Sequence, residues 1–285
     1  MINKFLISLL LGSATLLGAF EPEPRKQESP PPGSPQVTVP QDLTKDLEDD
    51  EDGARHLFLI GDEAVPTLIR FLSDPDNEKR IGAARGLAYI GNREGMQALQ
   101  NALKSEKNKE VKSAMSSYYA GGLVGTLSES DLHFLKSAVE TARFTDDDDE
   151  SAFPAISAAL ALGMMRRKDS LGLLRKVAKQ DVIGSEEVSE AIQWINKPRP
   201  RQTRIGTSTS EDDLVKNAIL KDTFFVEGKR DETSVSELTF NRERNKALVS
   251  LDIYQSPRTR YGYDLVLVKN HGRWKVVGIW FAWIA

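Results

Sequence analysis

A multidomain chain is predicted: an all-α solenoid of helical pairs, then a small α+β domain of one helix on a four-stranded antiparallel sheet. Three observations predict it. Glycines at 61, 91, 125 and 163 each follow an apolar pair or triplet (FLI, AYI, LV and AL), at intervals of 30, 34 and 38 residues. The blocks between these glycines repeat the same internal order of apolar and polar positions, as stacked helical repeats do. Beyond Ser210 the apolar period changes from helical to alternating, which marks strands.

In chain order, residues 1–20 read MINKFLISLLLGSATLLGAF, with Lys4 ahead of an uncharged run from Phe5 to Phe20 and an abrupt polar turn at Glu21. That layout is a secretory signal peptide with a cleavage site near Gly18 and Ala19. The alternative is an uncleaved N-terminal anchor, because the apolar run is just under the usual membrane-spanning length. Either way an exported protein, periplasmic or extracellular, is expected in the cell envelope, touching membrane only through such an anchor. Residues 21–40, EPEPRKQESPPPGSPQVTVP, are rich in Pro, Ser and charge with no apolar period, which predicts an extended, solvated linker.

Residues 41–197 carry the helical pattern. GDEAVPTLIRFL puts Leu68 and Leu72 one turn apart, and GNREGMQALQNAL puts Leu99 and Leu103 in the same relation. A polar joint follows each, SDPDNEK or KSEKNKE, and then a second helix. Ala83, Ala84, Leu87 and Ile90 form the buried stripe of one second helix, and Val111, Ala114, Met115 and Tyr118 that of the next. Pro75 breaks the first helix, and Asp76 or Asn77 offers an N-cap to its successor.

The stretch EAVPTLIRFLSDPDNEKRIGAARGLAYIGN, residues 63–92, resembles the HEAT repeat, in particular the short HEAT-like repeats of phycobilin lyases. Residues 93–149 and 150–195 carry the motif more loosely. The resemblance implies a HEAT-like α-solenoid in which Gly61, Pro66, Asp74, Pro75, Arg80, Gly91, Gly125 and Gly163 are structural repeat positions. Within it, Asp74 and Arg80 are the turn acid and helix-start base that link adjacent repeats. It implies a fold and not an activity: no lyase-specific residue is present to carry bilin chemistry across, and export argues against it.

Residues 198–210 form a basic linker; the stretch KPRPRQTRIGTSTS, from 197 to 210, holds two prolines and four basic residues. Residues 211–285 form the α+β domain. EDDLVKNAILKDTFF reads as an amphipathic helix with Leu214, Ala218 and Phe224 or Phe225 toward a core. Strands are expected at 233–240, 246–254, 261–268 and 274–284, the second with Ala247, Val249, Leu251 and Ile253 on one face. KNHGRW, with Gly272, supplies a hairpin turn. The segment YGYDLVLVKNHGRWKVVGIWFAWI resembles the closing hairpin of NTF2-like and cystatin-like α+β domains. That resemblance implies a conical pocket or dimerisation through the sheet, with Trp274, Trp280 and Trp283 lining the pocket or interface, where ordinary core is the alternative.

Composition narrows the chemistry. The 285 residues contain no cysteine, which excludes disulfides, thiolate nucleophiles and Cys-ligated zinc. A net charge of -4 with interspersed signs predicts no nucleic-acid partner. The acidic runs DLEDDEDGAR and FTDDDDESAF lack calcium-loop spacing and read as solvated segments, so no metal residue is assigned. Asp252 and His271 are the acid/base candidates of the terminal domain. Both read as exposed surface, His271 in a turn and Asp252 opposite the apolar stripe. His56 and His133 stand alone in helical segments, and no serine elbow or phosphate-cradling loop is present. The expectation is an exported non-enzymatic scaffold or adaptor with no cofactor, binding an unidentified protein partner through the repeat surface. The alternative is a small-ligand-binding protein or enzyme using a pocket in the C-terminal domain.

Overall fold

The computed structural model describes residues 43–48, 52–125, 128–141, 152–179, 185–196, 210–222, 233–256 and 259–284. The N-terminal segment, the Pro-rich linker, the acidic run at 146–150 and most of the basic linker lie outside these residues, as do Phe224 and Phe225.

Eleven α-helices are described: α1 Thr44–Glu48, α2 Asp52–Ile60, α3 Val65–Phe71, α4 Asn77–Ile90, α5 Arg93–Ser105, α6 Lys109–Gly121, α7 Glu129–Thr141, α8 Phe153–Met164, α9 Leu171–Val177, α10 Ser185–Asn196 and α11 Glu211–Asp222. Helices α2 to α10 stack in two rows. An inner row runs α2, α4, α6, α8, α10, each packed on the next, and outer helices α3, α5, α7 and α9 back it.

Local chemistry sets the boundaries. Asp76 caps α4 by accepting from the Glu78 amide at 2.9 Å. Gly91 ends the same helix in the left-handed region, φ 63°, where a side chain would be strained. Asn92 follows at once as N-cap of α5, accepting from the amides of Glu94 and Gly95. Asn108 does the same for α6 through the Val111 amide. Leu68, Leu72, Leu99 and Leu103 are all buried, as are Ala83, Ala84, Leu87 and Ile90. In α6 the buried residues are Val111, Met115, Ser117, Tyr119, Ala120 and Gly121, whereas Ala114 and Tyr118 of the expected stripe are only half-buried. Helix α8, FPAISAALALGM, is apolar on every side, which suits a helix enclosed by α6, α7 and α10.

Four strands, β1 Thr233–Phe240, β2 Lys246–Ser256, β3 Thr259–Asn270 and β4 Arg273–Ile284, form an antiparallel meander in the order β1-β2-β3-β4. Asn270 faces Arg273 across a two-residue turn, with His271 at φ 48° and Gly272 at φ 73°, the signs a tight hairpin requires. Directly opposed residues share a face. Pairing of Ala247 with Leu267, Val249 with Leu265 and Leu251 with Tyr263 makes one face apolar. Helix α11 packs there, burying Val215 and Ile219; Leu214 and Ala218, the expected core residues, are only partly covered. The helix is thus rolled by about one position, about 100° for 3.6 residues per turn, because the sheet meets Val215 and Ile219.

The opposite sheet face is not solvated. It lies on the inner row of helices, and one hydrophobic cluster runs from the helical array into the sheet. All described residues belong to one compact unit, Ser34–Ala285.

Candidate binding cleft between the array and the sheet

The array-facing side of the sheet carries polar residues at inward positions. Ser250 of β2 pairs with Glu237 of β1 and Asp264 of β3, and Asp264 pairs with Trp280 of β4. These four neighbours meet side chains from α2, α4 and α6.

Arg55 of α2, 7% exposed, donates from Nη2 to Ser250 Oγ at 2.7 Å and from Nη1 to Thr239 Oγ1 at 3.3 Å. Its Nε lies 2.8 Å from Glu237 Oε2. Ser250 Oγ in turn donates to Asp264 Oδ1, and the Tyr89 hydroxyl of α4 donates to Asp264 Oδ2, both at 2.5 Å. Burial, reinforced by the Asp264 charge, holds the Tyr89 phenol far above its ordinary pKa, so it remains a donor at any physiological pH. Lys246 Nζ donates to the Ile90 carbonyl at the end of α4 at 2.6 Å. The half-buried Asp264 carboxylate and the buried Arg55 guanidinium are tolerable here because each is hydrogen-bonded.

Apolar contacts seal the edges of this network. Trp280, 2% exposed, packs with its ring tilted 60° to that of Tyr89 at 4.8 Å between centroids and donates Nε1 to the Tyr118 carbonyl of α6 at 2.8 Å. Gly121 of α6 lies so close to β4 that a Cβ there would stand 2.3 Å from the Ile279 carbonyl oxygen. Phe153 of α8 meets Phe281 at 5.4 Å.

Between these contacts lies a cavity of about 540 Å³ walled by α4 and α6 on one side and β2, β3 and β4 on the other. Arg85, 7% exposed, and Ser117, which shares a 2.9 Å hydrogen bond with Ser157 of α8, lie along the helical wall. Glu78 and Glu110, both exposed, stand on its rim. Among the described residues no group of three His, Cys, Asp or Glu side chains is placed to hold a metal ion.

The sequence-derived positions fall in three places. Gly61, Gly91 and Gly125 all have positive φ, 70°, 63° and 107°, and each ends or follows a helix. Gly163 instead lies inside α8, where a Cβ would stand 2.8 Å from Ala191 Cα of α10. Pro66 is exposed in the first turn of α3, and Pro75 lies in the α3–α4 joint. Arg80 ties the joints together, donating to the Asp74 carbonyl at 2.8 Å and, across the repeat boundary, to Glu106 Oε2 at 2.9 Å. The Asp74 carboxylate accepts from the Asp76 amide instead.

Of the tryptophans, Trp280 belongs to the cleft wall. Trp274 lies on the other face, 7% exposed, donating to Glu211 Oε1 of α11 at 2.7 Å. The Trp283 backbone pairs with Gly262, and its side chain lies outside the described residues. Asp252 is half-buried and lines the cleft, in contrast to the expected exposure, because the array covers its face of the sheet. His271 is exposed in the β3–β4 turn. Asp252 faces Gly262, and the turn lies nine residues further along, roughly 30 Å at the rise of a strand. The two do not converge. His56 Nδ1 lies 2.9 Å from Asp46 of α1, and His133 is exposed on α7.

Arg55, Tyr89, Ser250 and Asp264 were not singled out by sequence reasoning. The available signal was the pair Ser250 and Asp252, two positions apart in ALVSLDI, and the lone Asp in YGYDLVLV, both inside otherwise apolar runs.

The fold and the cleft define a helical-repeat protein whose C-terminal sheet lies against the inner row of its own array. Residues 48–118, from the end of α1 into α6, match the family model for HEAT repeats. No curated protein and no solved structure matches the chain.

Proposed function

We propose that this protein is an exported, non-enzymatic scaffold that binds a protein partner through the surface of its HEAT-type repeats. The match to HEAT repeats over residues 48–118 carries this reading, because such arrays commonly serve as protein-interaction scaffolds and each repeat contacts only its neighbours, leaving a continuous surface. Export rests on the N-terminal sequence, with its Lys4 and uncharged run to Phe20. In this reading the repeats are of the short phycobilin-lyase-associated type, and the terminal helix and sheet are a reduced NTF2-like or cystatin-like domain acting as a second binding module. The alternative of a ligand site in the C-terminal domain changes its form here: the described cavity has helical walls as well as a sheet wall, so a ligand there touches the repeats too.

Affinity capture from cell-envelope extract, with the mature chain as bait, tests the reading. A protein retained in stoichiometric amount and lost on mutation of repeat-surface residues supports it. Retention of a small molecule with no protein overturns it. Fractionation with N-terminal sequencing of the mature chain tests export separately.

A further inference from the structure

Building on the scaffold reading, we propose that the cleft between α4, α6 and the sheet binds an extended, lysine- or arginine-bearing segment of the partner protein. Arg55 is buried and turned to the sheet, its guanidinium engaged by Glu237, Ser250 and Thr239. Arg85 is buried to the same degree in the helical wall. Both guanidiniums line the cavity but are buried, so the exposed charged groups of its lining are carboxylates.

Glu78 and Glu110 are exposed on the rim, and each is the second residue of its helix, α4 and α6. Successive repeats thus set one carboxylate each at the same position along the cleft. Glu237 keeps 49% of its side chain exposed, and Asp252 lines the interior. Beside them the half-buried ring of Tyr118 stands edge-on to Tyr89, 6.3 Å between centroids. An aromatic face next to carboxylates favours a guanidinium or ammonium group, by cation–π attraction as well as charge.

Spacing favours a chain over a single small cation. Neighbouring packed helices stand roughly 8–10 Å apart, and Glu78 and Glu110 start from two such neighbours, α4 and α6. Alternate side chains of an extended peptide are about 7 Å apart on one side, and long basic side chains cover the difference. The cavity, about 540 Å³, has room for such side chains to enter.

The test is fluorescence anisotropy of a labelled peptide of alternating Arg and Ser, titrated with the full mature chain at low and at raised salt. Saturable binding is expected, weaker at raised salt, reduced about tenfold in the double variant Glu78→Gln/Glu110→Gln, and absent for a peptide of alternating Glu and Ser. Both glutamates are exposed, and an unchanged circular dichroism melt verifies that the variant folds. A second variant, Tyr118→Leu, is expected to weaken binding without altering its salt dependence. Absence of saturable binding, equal binding by the double variant, or preference for the acidic peptide overturns the proposal. If the double variant still captures the envelope partner in full, the cleft proposal fails while the scaffold reading stands.

Discussion

The two faces of the C-terminal sheet are both covered, but by opposite means. Toward α11 the sheet presents Ala247, Val249, Leu251, Leu265 and Leu267, all buried, and meets Val215 and Ile219. At the rim of that contact Glu211 accepts from Trp274 and pairs with Lys269 at 2.8 Å. Toward the array the same strands present Glu237, Ser250 and Asp264, held by an ion pair and a hydrogen bond from Arg55 and by a hydrogen bond from Tyr89, with Asp252 lining the cavity beside them. The first contact depends on area and tolerates sliding of one apolar side chain past another. The second fixes a single register, because displacing either partner leaves a buried charge or hydroxyl without its bond. One sheet thus carries a hydrophobic seat for its own helix and a polar key for the repeats.

The largest break in this comparison is expected at the array side. Trp280→Ala removes the ring that seals the polar network, and a loss of about 3–5 kcal/mol is expected in urea unfolding. Gly121→Ala, which drives a methyl into the Ile279 carbonyl, is expected to cost about 1–3 kcal/mol. If either variant unfolds with the wild-type midpoint, the sheet does not depend on the array. Tyr89→Phe keeps the ring and removes one donor to Asp264; a cost of about 1–3 kcal/mol is expected, to be set against Ile219→Val on the α11 side at about 0.5–1.5 kcal/mol. Equal costs in the urea midpoints of the two variants would erase the distinction between key and seat.

Acid sharpens the comparison further. Hydrogen bonding from Lys269, opposed by burial and aided by Trp274, holds the Glu211 carboxyl below its ordinary value of 4.5. A depressed carboxylate contributes stability that is complete above the unfolded value and is lost as pH falls through the lower folded one. Glu106 behaves likewise: burial raises it, and the amides of Asn108 and Lys107 together with Arg80 lower it more. Asp169, bonded to Arg167 and Lys136, is lowered to about 2, but it is 46% exposed and contributes roughly 1 kcal/mol or less. Urea midpoints between neutral pH and about pH 3 are therefore expected to fall for wild type and to fall less for Glu211→Gln. The smallest effect is expected at Gly172 of α9, where a Cβ meets nothing within 4 Å; Gly172→Ala is expected to raise stability by about 0.4–1 kcal/mol, read as a higher melting temperature.

Much of the fold was legible because its signals are local. Asp76 and Gly91 start and stop one helix within a few residues of themselves, and the leucines at 68, 72, 99 and 103 mark one turn of one helix each; the caps Asn92 and Asn108 are equally local but were not singled out. The hairpin at His271 and Gly272 is likewise a property of adjacent residues. The roll of α11 was not legible, since Leu214 and Val215 are both apolar and only the sheet selects between them. Nor was the cleft. Arg55 is separated from Ser250 by 195 positions and Tyr89 from Asp264 by 175, distances over which no period connects a residue to its partner.

By itself the sequence determined the helical repeats, their caps, the meander of four strands and the apolar face that α11 covers, since each follows from periodicity and turn chemistry between near neighbours. Only the tertiary structure decided that the second face of the sheet would rest on α2, α4, α6 and α8, that Asp252 would line a cavity, and that Trp280 and Trp274 would serve opposite faces. Hydrophobic burial is nondirectional and can be read from pattern alone. A buried polar interface exists only when particular donors and acceptors meet, and that meeting is settled by the fold as a whole.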